Sequence, residues 1–181
     1  MFRYILCGSL VTVAFIASLG SVRAQQTSDS DYISRIMPAA PAGVVKGATI
    51  VQMQKGGGMR IVQTGTNGFT CMLLDPKTPM CADKNATAWA QALMTHAAPP
   101  DSVGFVYMLG GDDGASNTNP YDTAPSGTNH WVTTGPHVMI VGPAVKTMGY
   151  PTTADAETTN PYVMWANTPY AHLMIPVATQ P

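Results

Sequence analysis

Three short words in the second half of the chain share one arrangement: Pro136-His137-Val138-Met139-Ile140, Tyr162-Val163-Met164-Trp165 and Ala171-His172-Leu173-Met174-Ile175. Residues i and i+2 of an extended strand face the same side. His137 therefore shares a face with Met139, His172 with Met174, and Tyr162 with Met164. On neighbouring strands, two imidazoles and the thioethers beside them would meet. Thioether sulfur is soft and imidazole borderline, a set that suits copper, Cu(I) above all, better than Zn²⁺, Mg²⁺ or Ca²⁺. His137, Met139, His172 and Met174 are thus the candidate metal ligands, and copper is the candidate cofactor. A plain structural alternative stands beside this reading: methionine commonly fills irregular core gaps, and a nearby histidine can lie buried and hydrogen-bonded to backbone.

A second cluster is the run Gly110-Gly111-Asp112-Asp113-Gly114-Ala115-Ser116-Asn117-Thr118-Asn119-Pro120-Tyr121-Asp122. Asp112, Asp113, Asn117, Asn119 and Asp122 offer oxygen ligands of the kind a hard cation such as Ca²⁺ takes. The alternating ligands and terminal Glu of an EF-hand are absent. The same residue types are those that build Asx-turns and tight loops with no ligand at all. Asp112 nevertheless follows a strand and a Gly-Gly pair, a common place to present functional side chains.

Hydrolase chemistry has weaker support. Ser116 sits in Gly-Ala-Ser-Asn-Thr, without the Gly-x-Ser-x-Gly elbow. A pocket joining the Asp112–Asp122 loop to His137 or His172 is the catalytic alternative, with His130 a further possible base. Glu157 and the Asp residues give little basis for a paired-carboxylate glycosidase. His-Glu-x-x-His, a phosphate loop and a dinucleotide fingerprint are missing from the sequence. His96 ends a predicted helix, where its charge suits the negative pole, a structural role.

The words Asn67-Gly68-Phe69-Thr70-Cys71-Met72, Gly114-Ala115-Ser116-Asn117-Thr118-Asn119-Pro120-Tyr121, Gly135-Pro136-His137-Val138-Met139-Ile140 and Thr168-Pro169-Tyr170-Ala171-His172-Leu173-Met174 resemble those of a group of small, uncharacterised exported bacterial proteins. The resemblance spans most of residues 36–178. It implies bacterial export and a single domain, and carries no activity.

Composition narrows the partners. Of nine Lys and Arg, Arg3 and Arg23 fall in the leader described next, leaving seven against ten carboxylates. With no basic run, neither nucleic acid nor an anionic membrane surface has an electrostatic footing. Charged residues make up only 10% of the chain, so solubility rests on Thr, Asn, Ser and Gln.

Residues 1–24 read as a signal peptide: Arg3, an apolar stretch from Ile5 to Leu19, and Ser21-Val22-Arg23-Ala24 with small residues at −3 and −1. The apolar run is shorter than the roughly 20 residues of a membrane span. Cys7 precedes most of that run, where a lipidated cysteine would follow it. Cleavage predicts a periplasmic or secreted product without stable membrane insertion. In that oxidising compartment Cys71 and Cys81 are expected to pair as a disulfide, a two-thiolate metal site being the poorer alternative without a nearby His.

The elements that must position these residues follow from pattern. Residues 25–48 read as a flexible or extended N-terminal segment with a short helix at Tyr32–Met37, stopped by Pro38, and an extended linker from Ala39 to Gly47. Strands are predicted at Thr49–Met53, Met59–Thr64 and Phe69–Leu74, with turns at Lys55-Gly56-Gly57-Gly58 and Asn67-Gly68. Asp83–His96, and most firmly residues 84–96, is the principal helix, with Trp89, Leu93 and Met94 as its apolar stripe and Pro99-Pro100 beyond it. Val103–Leu109, Trp131–Thr134, His137–Val141, Tyr162–Trp165 and His172–Val177 complete the strands, and Asp112–Asn129 is a long polar loop. Residues 49–181 thus form a single α+β domain, mainly antiparallel sheet. Three functions fit: an extracytoplasmic protein binding a small ligand or copper ion, a small secreted enzyme, or a structural protein of the envelope.

Overall fold

A computed structural model describes residues 29–177; the signal peptide expected at 1–24 lies outside them. The fold is α+β, built on an eight-stranded sheet. The strands are β1 (Thr49–Met53), β2 (Met59–Gln63), β3 (Thr70–Leu73), β4 (Pro79–Ala82), β5 (Gly104–Met108), β8 (His137–Val141), β9 (Tyr162–Met164) and β10 (His172–Pro176), in spatial order β2-β1-β3-β4-β5-β8-β10-β9. All neighbours are antiparallel except β1 and β3. A two-stranded ribbon of β6 (Ala115–Ser116) and β7 (Trp131–Val132) stands apart from this sheet. The predicted strand at Trp131–Thr134 therefore joins the polar loop rather than the main sheet. Among the described residues no helix is long and apolar enough to cross a membrane.

The back of the sheet carries the N-terminal segment. Residues 29–36 form helix α1, Met37–Ala39 a 3-10 turn, and Ala42–Gly47 helix α2. Tyr32, Ile36, Ala39, Val45 and Ala48 are buried with Ile50, Leu73 and the two cysteines. The extended linker expected from Ala39 to Gly47 is thus corrected to helical turns. Its small and β-branched side chains gain more by burial against the sheet than an extended strap would. Cys71 and Cys81 face each other in register on β3 and β4, bridged at 2.02 Å. β4 itself was not expected, because Pro79 obscures a strand; proline is tolerated there as the first residue, where no ladder N–H is required.

Helix α3 (Lys84–Met94) lies on the front. Asp83 caps it, its Oδ1 accepting from Ala86 N at 2.7 Å, while Oδ2 accepts from Phe105 N at 3.1 Å. One side chain thereby closes the helix N-terminus and ties it to β5. Gly104 allows the approach: a Cβ there would stand 2.3 Å from Ala86 N. Ala86, Trp89 and Ala92 face inward, while Met94, expected in the apolar stripe, is exposed. His96 takes a left-handed φ of 55°, and Ala97 N donates to Ala92 O, a Schellman-type stop. His96 stacks on Tyr121 with ring centroids 4.3 Å apart.

Candidate functional site

Strand register fixes what shares the front face. On β8 and β10, Met139 pairs with Met174, His172 with Val141 and His137 with Pro176. His137, Met139, His172 and Met174 consequently all lie on one side of the sheet. Across the next strands, Met108 on β5 stands opposite His137, and Met164 on β9 opposite His172. Between this face, α3 and the start of the polar loop is a cavity of about 220 Å³. It is lined by both histidines, by Met80, Met108, Met139, Met164 and Met174, by Trp89 and Trp165, and by Asp112 at its polar edge. Sulfur, imidazole and indole dominate its wall.

Both imidazoles are held the same way. His137 Nδ1 lies 2.7 Å from Gly135 O and His172 Nδ1 lies 3.1 Å from Tyr170 O. A carbonyl can only accept, so each Nδ1 carries the proton and each Nε2 presents a lone pair in the neutral ring. His137 Nε2 is buried without a hydrogen-bond partner among the described residues. Burial also disfavours the cations. The His172 pKa is pushed down to about 4 by desolvation, with the neighbouring His137 adding to the fall. That of His137 is lowered by desolvation against the opposing pull of Gly135 O and the Asp112 carboxylate. Neutral imidazoles oriented through Nδ1 to backbone carbonyls are the form in which histidine binds metal.

Aromatic rings enclose His172. Its centroid is 4.7 Å from that of Trp165 and 5.4 Å from that of Trp89, both edge-on, and the two indoles are near-parallel at 6.2 Å. Trp165 is fixed by Nε1 donating to Ser116 O at 2.7 Å and by its backbone N donating to Asn117 O at 2.9 Å. It adopts φ 54°, unusual for a bulky residue.

The polar loop puts Asp112, Asp113, Gly114 and Ala115 on the cavity wall and disperses its other polar groups. Asp112 Oδ1 accepts from Gly114 N at 2.9 Å and Thr134 N at 3.0 Å. Its pKa is raised by desolvation, which outweighs those two N–H groups and the pull of His137. Thr134 Oγ1 lies 2.8 Å from the Tyr162 hydroxyl, whose pKa is pushed up to about 12 mainly by burial. Asp113 reaches the cavity rim and pairs with Lys77 at 3.4 Å. Asn117 instead donates to Thr153 O and Ala154 O, and Asn119 bonds Asp122 at 2.7 Å. These oxygens and amides point to different places and hold the loop together. Among the described residues, no group of three or more His, Cys, Asp or Glu could hold a metal ion. His130 pairs with exposed Asp155 at 2.7 Å, and Ser116 Oγ is buried and donates to Asn129 O at 2.9 Å. Neither belongs to the cavity wall.

Among the cavity-lining residues that sequence reasoning did not single out as site residues are Asp75, Met80, Met108, Trp89 and Trp165. The period-2 pattern of Val106 and Met108 carried a signal for one of them, and Trp89 stood in the helix stripe. Nothing local announced that Trp165 would close over His172. Comparison with family models, with curated proteins and with solved structures found no match for the chain.

Proposed function

We propose that this is an extracytoplasmic binding protein whose methionine-lined cavity takes copper as Cu(I), with His137, Met139, His172 and Met174 among its ligands. The observation that carries the reading is that all four side chains line one cavity, with both imidazoles tied through Nδ1 so that Nε2 remains to donate. Neutral nitrogen and thioether donors favour a soft monocation. A dication such as Zn²⁺ or Ca²⁺ favours carboxylate oxygen, and the three carboxylates of the lining are engaged elsewhere: Asp75 accepts from Lys77 N and Thr78 N, Asp112 from Gly114 N and Thr134 N, and Asp113 pairs with Lys77. Export follows from the leader at residues 1–24, so the mature chain would begin at Gln25 and work in the periplasm or beyond.

The test adds Cu(I), Cu(II), Zn²⁺ and Ca²⁺ separately to the purified protein and follows heat of binding and melting temperature. Cu(I) raises the melting temperature, and the double change His137→Ala, His172→Ala removes the response. Indifference to all four metals ends the proposal. N-terminal sequencing of the product recovered from outside the cytoplasm tests the leader: a chain still starting at Met1 contradicts export by cleavage.

One observation favours a second reading, a small hydrolase-like enzyme. Asp112 and the unpartnered Nε2 of His137 share the cavity, and their charges interact, so His137 is disposed to act as a base oriented by its neighbours. In that case Met139→Leu leaves function intact while Asp112→Asn removes it. Copper binding instead loses affinity with Met139→Leu, while Asp112→Asn removes only the attraction of the carboxylate and leaves the donor set in place.

A further inference from the structure

We infer that the cavity holds two Cu(I) positions rather than one, each built from one histidine and two methionines; this rests on the copper reading above. The two histidines have matching surroundings. His172 has Met174 two residues along its own strand and Met164 directly opposite on β9. His137 has Met139 two residues along and Met108 directly opposite on β5. Each set is a His-x-Met pair facing a methionine on the outer neighbouring strand, and directly opposed residues bring their Cβ atoms to about 5 Å. One nitrogen and two thioethers make a three-coordinate donor set of the softness that Cu(I) accepts.

The register argues against a single shared ion. His137 lies opposite Pro176 and His172 opposite Val141, four residues apart on β10, or about 13 Å along the strands. Two nitrogens on one ion, each at about 2 Å, must approach within about 4 Å of each other. The anchors oppose that convergence. Gly135 lies beyond His137 on the side away from His172, and Tyr170 beyond His172 on the side away from His137, so each ring is tied at its own end. The Met139–Met174 pair separates the two ends.

The ends also differ. The His172 set lies against the indoles of Trp89 and Trp165. The His137 set has Asp112 as its charged neighbour. An ion at the first position therefore quenches indole fluorescence, whereas the second is favoured by the nearby carboxylate. Two monocations in one cavity repel, so the second equivalent binds more weakly than the first.

The experiment titrates anaerobic Cu(I) against a chromogenic Cu(I) chelator, with stoichiometry and tryptophan fluorescence read together. Wild type takes two equivalents in two steps. His137→Ala and His172→Ala each take one, and only His172→Ala loses most of the quenching. Should either alanine change unfold the chain, Met108→Leu and Met164→Leu conserve core volume and weaken the corresponding step alone. A single equivalent that either histidine change abolishes means one shared ion: the two-position inference then fails while copper binding stands. No equivalent bound at all overturns the copper reading itself.

Discussion

Met139 on β8 and Met174 on β10 stand directly opposite each other at the centre of the β8–β10 ladder, with one histidine towards each end of this strand pair. The pair exists because two His-x-Met words lie on adjacent antiparallel strands in the one register that aligns their second members. A shift of one residue would send one histidine and its methionine to the back of the sheet. There Leu173, Val163 and Ala171 pack with Val145 of the 3-10 turn Pro143–Thr147. That apolar back face makes the slip costly, and so holds the site in place.

Replacing both middle thioethers separates donor chemistry from packing. Met139→Leu with Met174→Leu conserves volume and shape closely, so each change costs under about 1.5 kcal/mol of stability. Cu(I) affinity, measured by chelator competition, falls at least about tenfold, because leucine offers no lone pair. A double variant that binds Cu(I) as tightly as wild type removes these methionines from the ligand set.

Acid destabilises the protein through His172. Its pKa is about 4 in the folded state against 6.5 for the ordinary ring, so between those values the unfolded chain binds a proton that the native protein refuses. Stability therefore falls as pH drops from about 6.5 to 4, by about 3 kcal/mol in all for this group, and levels off below. His137 acts in the same direction. Urea midpoints between pH 7 and pH 4 read the slope, and His172→Ala flattens it. A midpoint that does not change across this interval contradicts the neutral burial of the ring.

Side-chain alternation made part of this site legible in the sequence. His137 with Met139 and His172 with Met174 could be set on common faces from a period of two alone, and the cap of α3 could be narrowed to Asn85 or Asp83, of which the structure uses Asp83. What escaped was long-range. Met80 and Met108 reach the cavity only because β4 and β5 stand between β3 and β8, an order that no local pattern encodes. The parallel pairing of β1 with β3, across the β1–β2 hairpin, is of the same kind. The polar loop read as a cation site because Asp and Asn serve ligation and Asx-turns equally well. Only coordinates separate Asp112, on the cavity wall, from Asn117, bonded to Thr153 O and Ala154 O.

The roof of the cavity depends on Asp83. Asp83→Ala removes the cap of α3 and the acceptor for Phe105 N together, lowering stability by about 1–2 kcal/mol. Asp83→Asn keeps an acceptor oxygen and recovers most of it. Denaturant midpoints rank wild type, Asn and Ala in that order. An alanine variant as stable as wild type would show that α3 is held by Trp89 and its neighbours alone.

Removing the Cys71–Cys81 bridge tests the opposite side of the sheet. Both cysteines are fully buried against the N-terminal helices, so reductant reaches the bond only when the strands open. The native protein should therefore resist dithiothreitol at concentrations that reduce the unfolded chain at once, by mass spectrometry of trapped thiols. The loop closed by the bridge has a sequence separation of 10, and constraining it in the unfolded chain is worth about 2–3 kcal/mol. Cys71→Ala with Cys81→Ala lowers the denaturant midpoint accordingly. The cysteines point to the back of the sheet and the cavity lies on the front, so under conditions where the variant remains folded its Cu(I) stoichiometry should equal that of wild type. Loss of copper binding in a folded double-alanine variant would mean that the two faces are mechanically coupled through β4.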